Sequence, residues 1–538
     1  MIDPAGLDVW KDLKRKAESF EQPSRHLRRL LDDPNRLGDF SLKAAGLFFD
    51  FSRQRIDRDT LGLLHRLSEE MSVPAVFDAM MRGEIVNQSE GRPALHTAAR
   101  DFSNESVFVR GVDVMPRIRE VRQAIREFTA DVHSGAIKGS TGKRIRDVVV
   151  VGIGGSYLGT EFVSTALAAY ADKGIRLHYL ANVDIHNFAA IVSAVDPEAT
   201  LWVIISKSYT TAETLANASQ AAAFMAERGI DSSRHLVTVT AEGSPGDDPS
   251  NPVLRSFHMF DFIGGRYSVT SAVGGVPLSL FLGYERFEAF LKGAEEMDRH
   301  ARTAPVERNL PLTAALVAVW NNTFLGYPSR ALIPYAAPLS RLAAHIQQLS
   351  MESNGKSVSA HGRPVSYPTG AVIFGEPGTN AQHSFFQLIH QGRPVPVEFI
   401  GVVNPQYPQY RHLSRGVTNH QELWANLLSQ PMALAAGKEH PDPAKAFTGN
   451  RPSSTLLLED LSPENIGRLL SYYEAQTVME AVIWGINPFD QFGVELGKVL
   501  ATDIRKAMAA RNDRPDEDTR IDSPIVEHYL DVLFRGRI

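Results

Sequence analysis

From Asp147 onward, short runs of β-branched and aliphatic residues alternate with longer stretches whose apolar positions recur every three to four residues. That alternation is the pattern of a parallel sheet with crossover helices. It predicts strands over 147–153, 176–182, 200–207 and 235–241, with helices over 157–171, 186–192 and 211–228, together one doubly wound α/β unit. After about residue 285 the same grammar returns. Strands are predicted near 330–336, 371–375 and 396–403, and helices near 286–302, 311–325, 339–352, 378–391, 418–436, 463–484 and 489–510. The first 110 or so residues are helix-rich without a strand series, so they are expected to pack on the second unit. The charged tail after Asp513 is expected to form an arm. The expected organisation is therefore an N-terminal helical part over 1–114, a smaller α/β domain over 115–284, a larger one over 285–512 and a C-terminal helical arm over 513–538. Both α/β domains are predicted to be parallel sheets with helices on both faces.

Composition narrows the chemistry. The 538 residues carry 56 Lys and Arg against 62 Asp and Glu, a net charge of −6 that disfavours nucleic acid or anionic lipid as general partners. No cysteine is present, which excludes disulfides, thiolate metal sites and a cysteine nucleophile. The N-terminal residues never reach an apolar signal region, and the longest uncharged stretch, 309–329, is interrupted by Pro311, Asn321, Asn322 and Pro328. A cytoplasmic protein without a membrane span is the expectation.

Several segments carry candidate chemistry. The strand VVVV runs into Gly152, Gly154, Gly155 and Ser156 before a helix, and backbone amides at such a helix start can hold an anion. Tyr157 and Thr160 stand where a dinucleotide fingerprint needs glycine and a Walker A loop needs lysine, so neither nucleotide motif fits. The glycines would equally serve a tight strand-to-helix turn with no ligand. In the next strand-to-helix turn, Ser206, Lys207, Ser208, Thr211 and Thr214 fall within nine residues. One hydroxyl there would be explained by helix capping; four make a cage for a phosphate dianion. Arg266 follows two glycines, a setting in which a guanidinium can stabilise a developing oxyanion.

The segment HIQQLSMESNGK places Glu352 near a helix C-terminus, with Ser353-Asn354-Gly355 as the stop signal and Gly355 available for a left-handed cap. The negative end of the dipole would raise the basicity of Glu352 towards that of a general base, and Gln348 lies one turn earlier on the same face. Solvent exposure is the other reading of such a glutamate. His383 is expected in the first turns of a helix, with His390 on the same face. Without a carboxylate at ligand spacing the pair makes no case for a metal. Gln491 and Lys498 lie two turns apart on a later helix, where Glu495 and Lys498 could also be an exposed pair.

Taken in order, GIGGS, SKSYTTAET, GGRYS, QLSMESNGK, GTNAQHSFFQLIHQG and GVELGK resemble the signature segments of the glucose-6-phosphate isomerase family over about 148 to 500, and FFDFSRQRI at 48–56 resembles a further segment. The resemblance implies two sugar-isomerase (SIS) domains, a homodimer and cofactor-free interconversion of glucose 6-phosphate and fructose 6-phosphate. It implies that Ser206, Ser208, Thr211 and Thr214 cage the phosphate and that Gly155, Ser156, Lys207, Gln348 and Gln491 make other substrate contacts. Glu352 is then the base that moves a proton between C2 and C1, and Arg266 steadies the enediolate. His383, supplied across the subunit interface, and Lys498 assist ring opening. Tyr157, the Ser208-Tyr209 pair and Ala381 depart from the usual aspartate, Thr-Phe and glycine. Two alternatives are an SIS isomerase of different or broader sugar phosphate range, with Thr270 and Gln348 as candidate selectors, and a sugar-phosphate sensor without turnover. A sensor would need the cage alone, so the joint presence of Glu352, Arg266, His383 and Lys498 argues against it.

Overall fold

The computed structural model describes residues 2–514 and 521–538. It falls into two compact units, one ending at Phe489 and the other running from Asp490 to the C-terminus. The first unit holds two main sheets. In the five-stranded sheet, Arg176–Leu180, Asp147–Val151, Thr200–Ile205, Leu236–Ala241 and Arg255–Met259 lie side by side in that order, all parallel. The strands Asp147–Val151 and Thr200–Ile205 are buried throughout, which accounts for their unbroken apolar sequences. Counted in chain order the arrangement is 2-1-3-4-5, and in such a sheet a ligand crevice opens at the carboxyl ends of the first and third strands.

The second sheet repeats that order for its four parallel strands: Val372–Phe374, Ser329–Pro334, Val397–Val402 and Ser453–Leu458. An antiparallel hairpin, Ser41–Ala44 with Leu47–Asp50, adds to its edge against Ser453–Leu458. The doubly wound α/β reading is borne out. Four strands of these two sheets go beyond the sequence expectation: the edge strand Arg255–Met259, the strand Ser453–Leu458, and the two strands of the hairpin, which lie in an N-terminal region expected to have no strand series. Helix Pro463–Ile483 is buried along nearly its whole length and is flanked by Tyr284–Thr303 and Leu310–Val319.

The second unit contains helices Glu495–Asp513 and Pro524–Arg535. Residues 515–520 of the expected arm lie outside the described residues. Among the described residues no helix is long and apolar enough to cross a membrane.

Candidate active site

The two anion-suited turns stand at the switch point of the first sheet. Val151 pairs in register with Ile204, so Gly152–Ser156 and Ser206–Thr214 leave the sheet side by side. A Cβ on Gly152 would sit 3.2 Å from the carbonyl oxygen of Ile205. Each turn opens a helix, Leu158–Ala166 and Ala212–Ala226, and neither helix start carries a side-chain cap. Thr211 occupies the N-cap position of the second without using its hydroxyl for capping. Its Oγ1 instead lies 3.5 Å from Ser206 Oγ, and Ser206 and Thr214 are buried. The capping explanation of these hydroxyls therefore fails for Thr211. Ser208 lies further out, its Oγ 2.6 Å from Thr210 Oγ1.

Lys207 is turned the other way. Its ammonium donates to the carbonyls of Asp261 at 2.9 Å and Ile263 at 3.3 Å, and burial lowers its pKa. This ties the hydroxyl-rich turn to the loop that leads into Gly264-Gly265-Arg266.

That loop meets the glycine turn. A Cβ on Gly155 would collide with the Gly265 carbonyl and stand 2.7 Å from the Arg266 amide, so only glycine permits the contact. Arg266 itself is 2% exposed. Its Nε donates to Ser353 Oγ at 2.7 Å and its Nη2 to the Pro488 carbonyl at 2.5 Å, while Nη1 lies 3.5 Å from Glu352 Oε2.

Glu352 ends a wide π-type turn, Gln347–Glu352, that follows the short α-helical stretch Leu342–Ile346. Such turns displace side chains from regular helical positions and recur at functional sites. Gln348 Nε2 donates to Glu352 Oε2 at 3.1 Å and leaves Oε1 buried without a partner. The shared face predicted for the two is thus present. The left-handed cap is not: Gly355 keeps a negative or extended φ, and a Cβ there would stand 2.6 Å from the Met351 carbonyl oxygen. The turn is anchored from below, where Asn354 Nδ2 donates to Thr477 O at 3.2 Å and Glu480 Oε2 at 2.9 Å on the buried helix. Thr270 is buried with its hydroxyl unpartnered.

The profile of the phosphoglucose isomerase family matches residues 50–525. The chain belongs to the phosphoglucose isomerase family. A glucose-6-phosphate isomerase of Desulfosudis oleivorans is 63% identical over 532 residues, spanning 98% of this chain and 97% of that protein. A cytosolic glucose-6-phosphate isomerase of Arabidopsis thaliana is 44% identical over 523 residues, spanning 93% of this chain and 92% of its own. The crystal structure of a glucose-6-phosphate isomerase from Chlamydia trachomatis superposes with a TM-score of 0.90 at 37% identity, covering 99% of this chain and 100% of that one.

Not every site residue expected from the family motifs joins the cluster. His383 closes a 3-10 turn, Asn380–His383, ahead of the six-residue helix Phe386–Gln391, instead of lying in the first turns of one long helix. It is exposed, and no hydrogen bond or ion pair joins it to Glu352 or the hydroxyls. His390 is half-buried and pairs with Gln430 Oε1 at 3.0 Å, and among the described residues no three His, Asp or Glu side chains gather as a metal group. Gln491 and Lys498 belong to the second unit, where Lys498 Nζ pairs with Glu495 Oε1 at 2.7 Å on an exposed helix face. The sequence pattern gives no sign of Ser353 or the Pro488 carbonyl as parts of the Arg266 environment, nor of the contact between the Tyr267 and Ser353 hydroxyls. These contacts join residues more than 80 positions apart, and no local motif marks them.

Proposed function

We propose that the chain interconverts D-glucose 6-phosphate and D-fructose 6-phosphate through a cis-enediolate, without a cofactor. The observation that carries this reading is the approach of the Glu352 carboxylate to a desolvated Arg266 guanidinium beside the switch-point crevice. Proton removal next to a carbonyl needs a positioned base and a fixed cation for the oxyanion that forms.

The phosphate is held by Ser206, Ser208, Thr211 and Thr214 together with the adjacent helix-start amides, a site that needs few lysines. Gly155, Ser156 and Gln348 make further substrate contacts, and Lys207 braces the turn through the Asp261 and Ile263 carbonyls. The unpartnered Oε1 of Gln348 suits a sugar hydroxyl that donates. Tethering by the phosphate fixes the reacting carbons against the base. Once the ring is open, Glu352 takes the proton from C2 of the aldose, the C–H electrons form the C1–C2 double bond, and the carbonyl oxygen becomes an oxyanion. As the carboxylate is neutralised, the Arg266 cation beside it stabilises the enediolate oxyanion that forms. Return of the proton to C1 and movement of the O2 hydroxyl proton to O1 complete the ketose.

Ring opening falls to His383. The exposure of His383 in the single chain fits a homodimer in which it serves the neighbouring subunit's site. We place the protein in the cytoplasm, in keeping with the cytosolic names of plant relatives. Purified protein given fructose 6-phosphate in a coupled glucose-6-phosphate assay should turn over equally with and without a chelator. Absence of turnover, or its loss in chelator, would contradict the proposal.

A further inference from the structure

The partners of the Arg266 guanidinium include acceptors of unequal kind. Ser353 Oγ at Nε and the Pro488 carbonyl at Nη2 are neutral, and the Glu352 carboxylate faces Nη1. Ser353 is fully buried and immediately follows Glu352. With Nε donating to it, its hydroxyl retains one proton and one lone pair, and the Tyr267 hydroxyl at 3.0 Å engages one of them. Tyr267 is itself buried, its ring stacked on His96 with centroids 4.7 Å apart. Burial raises its pKa to about 12, so the phenol stays protonated through the working range. The sequence His96, Tyr267, Ser353, Arg266 is therefore a continuous set of buried contacts that ends on the cation.

We infer that Ser353 is a positioning residue for Arg266: through Nε it fixes the plane of the guanidinium so that Nη1 faces the reacting edge, and Tyr267 fixes the Ser353 hydroxyl in turn. The inference deepens the proposed reaction and rests on that reading. A guanidinium free to rotate about its last bonds would still bind an anion, but it would have to reorganise as the enediolate forms, which is the cost that a preorganised site avoids. The loss should then fall on the transition state and leave ground-state binding of the sugar phosphate nearly intact.

The test uses the full-length protein. Ser353→Ala should lower kcat for fructose 6-phosphate by about 10- to 100-fold, the worth of one hydrogen bond to a charged group, with KM changed less than about twofold. Binding of a five-carbon hydroxamic acid phosphate, planar and anionic like the enediolate, should weaken by a similar factor, whereas binding of a six-carbon sugar-alcohol phosphate should not. Tyr267→Phe should move kcat and hydroxamate binding the same way by a smaller factor, and it carries the test if Ser353→Ala does not fold. Unchanged kcat in these variants, or equal weakening of both ligands, would overturn the inference. Arg266→Lys serves as the control: if it too retains normal turnover, the fault lies in the proposed role of Arg266 and not in its positioning.

Discussion

Arg266 Nη1 and Glu352 Oε2 stand 3.5 Å apart, although the two residues are 86 positions apart in the chain. Arg266 arrives on the loop that follows strand Arg255–Met259, and Glu352 on a π-type turn anchored to helix Pro463–Ile483. The contact depends on how closely the Arg266 loop lies against the glycine turn.

Gly155→Ala tests that closeness. The added methyl meets backbone atoms of Gly265 and Arg266 that have no side-chain freedom with which to yield. Overpacking of this kind costs about 1–3 kcal/mol, and here the displacement falls on Arg266. Thermal unfolding should show a lower Tm, and kcat should fall by more than the stability loss explains. A variant with the parent kcat would separate the glycine from catalysis.

The hydroxyl cage predicts an affinity effect. Ser206→Ala combined with Thr214→Ala removes two buried hydroxyls from the crevice. Hydrogen bonds to a charged phosphate are worth about 1.5–3 kcal/mol each, so the Kd for a sugar phosphate should rise at least about tenfold. Isothermal titration would measure it, and an unchanged Kd would remove the phosphate from this turn.

How much of this was legible in the chain depends on the range of the interactions. Strand-to-helix punctuation marked the turns at Gly152 and Ser206 correctly because a buried parallel strand and the helix after it are both local patterns. The hairpin Ser41–Asp50 escaped because its strands are four residues long and its turn is Ala45-Gly46, with φ of 44° and 74°, lacking the Asn-Gly or Asp-Gly signal. The segment 378–391 carries a helical spacing of apolar residues, yet it breaks into a 3-10 turn and a short helix. At the site, Glu352, Arg266 and the hydroxyls stood out by residue type and neighbourhood. Ser353 did not, because its role is set by Arg266 and Tyr267, more than 80 positions earlier.

The proposed sharing of His383 between subunits makes a prediction about mixtures. Glu352→Gln and His383→Ala should each be inactive as homodimers. After dissociation and reassociation together, mixed dimers would contain one intact site, and activity should reappear. If His383 served its own chain, every site would lack one group and the mixture would stay inactive.

Beneath the site lies a buried charge cluster with a pH signature. Arg100 donates to both oxygens of Asp298, at 2.6 and 2.8 Å, and to Glu474 Oε2 at 2.5 Å, leaving Glu474 Oε1 without a partner. One cation faces two carboxylates, and burial raises Glu474 to about 7 from an unfolded value of about 4.3. The folded state therefore holds this proton more tightly than the unfolded state. The stability it confers is complete below about pH 4.3 and is lost as pH rises through about 7. Relative to Glu474→Gln, the parent protein should lose Tm between pH 5 and pH 8. A difference that is flat or of opposite slope would show that Arg100 holds Glu474 ionised throughout.

The most direct measurement is made on Glu352→Gln, which keeps the shape of the side chain and removes its basicity. General-base catalysis is worth about 100- to 10,000-fold, so kcat should fall at least that far while the Kd for a six-carbon sugar-alcohol phosphate stays within about twofold of the parent. Turnover near the parent rate, with binding unimpaired, would contradict the assignment of Glu352 as the group that carries the proton.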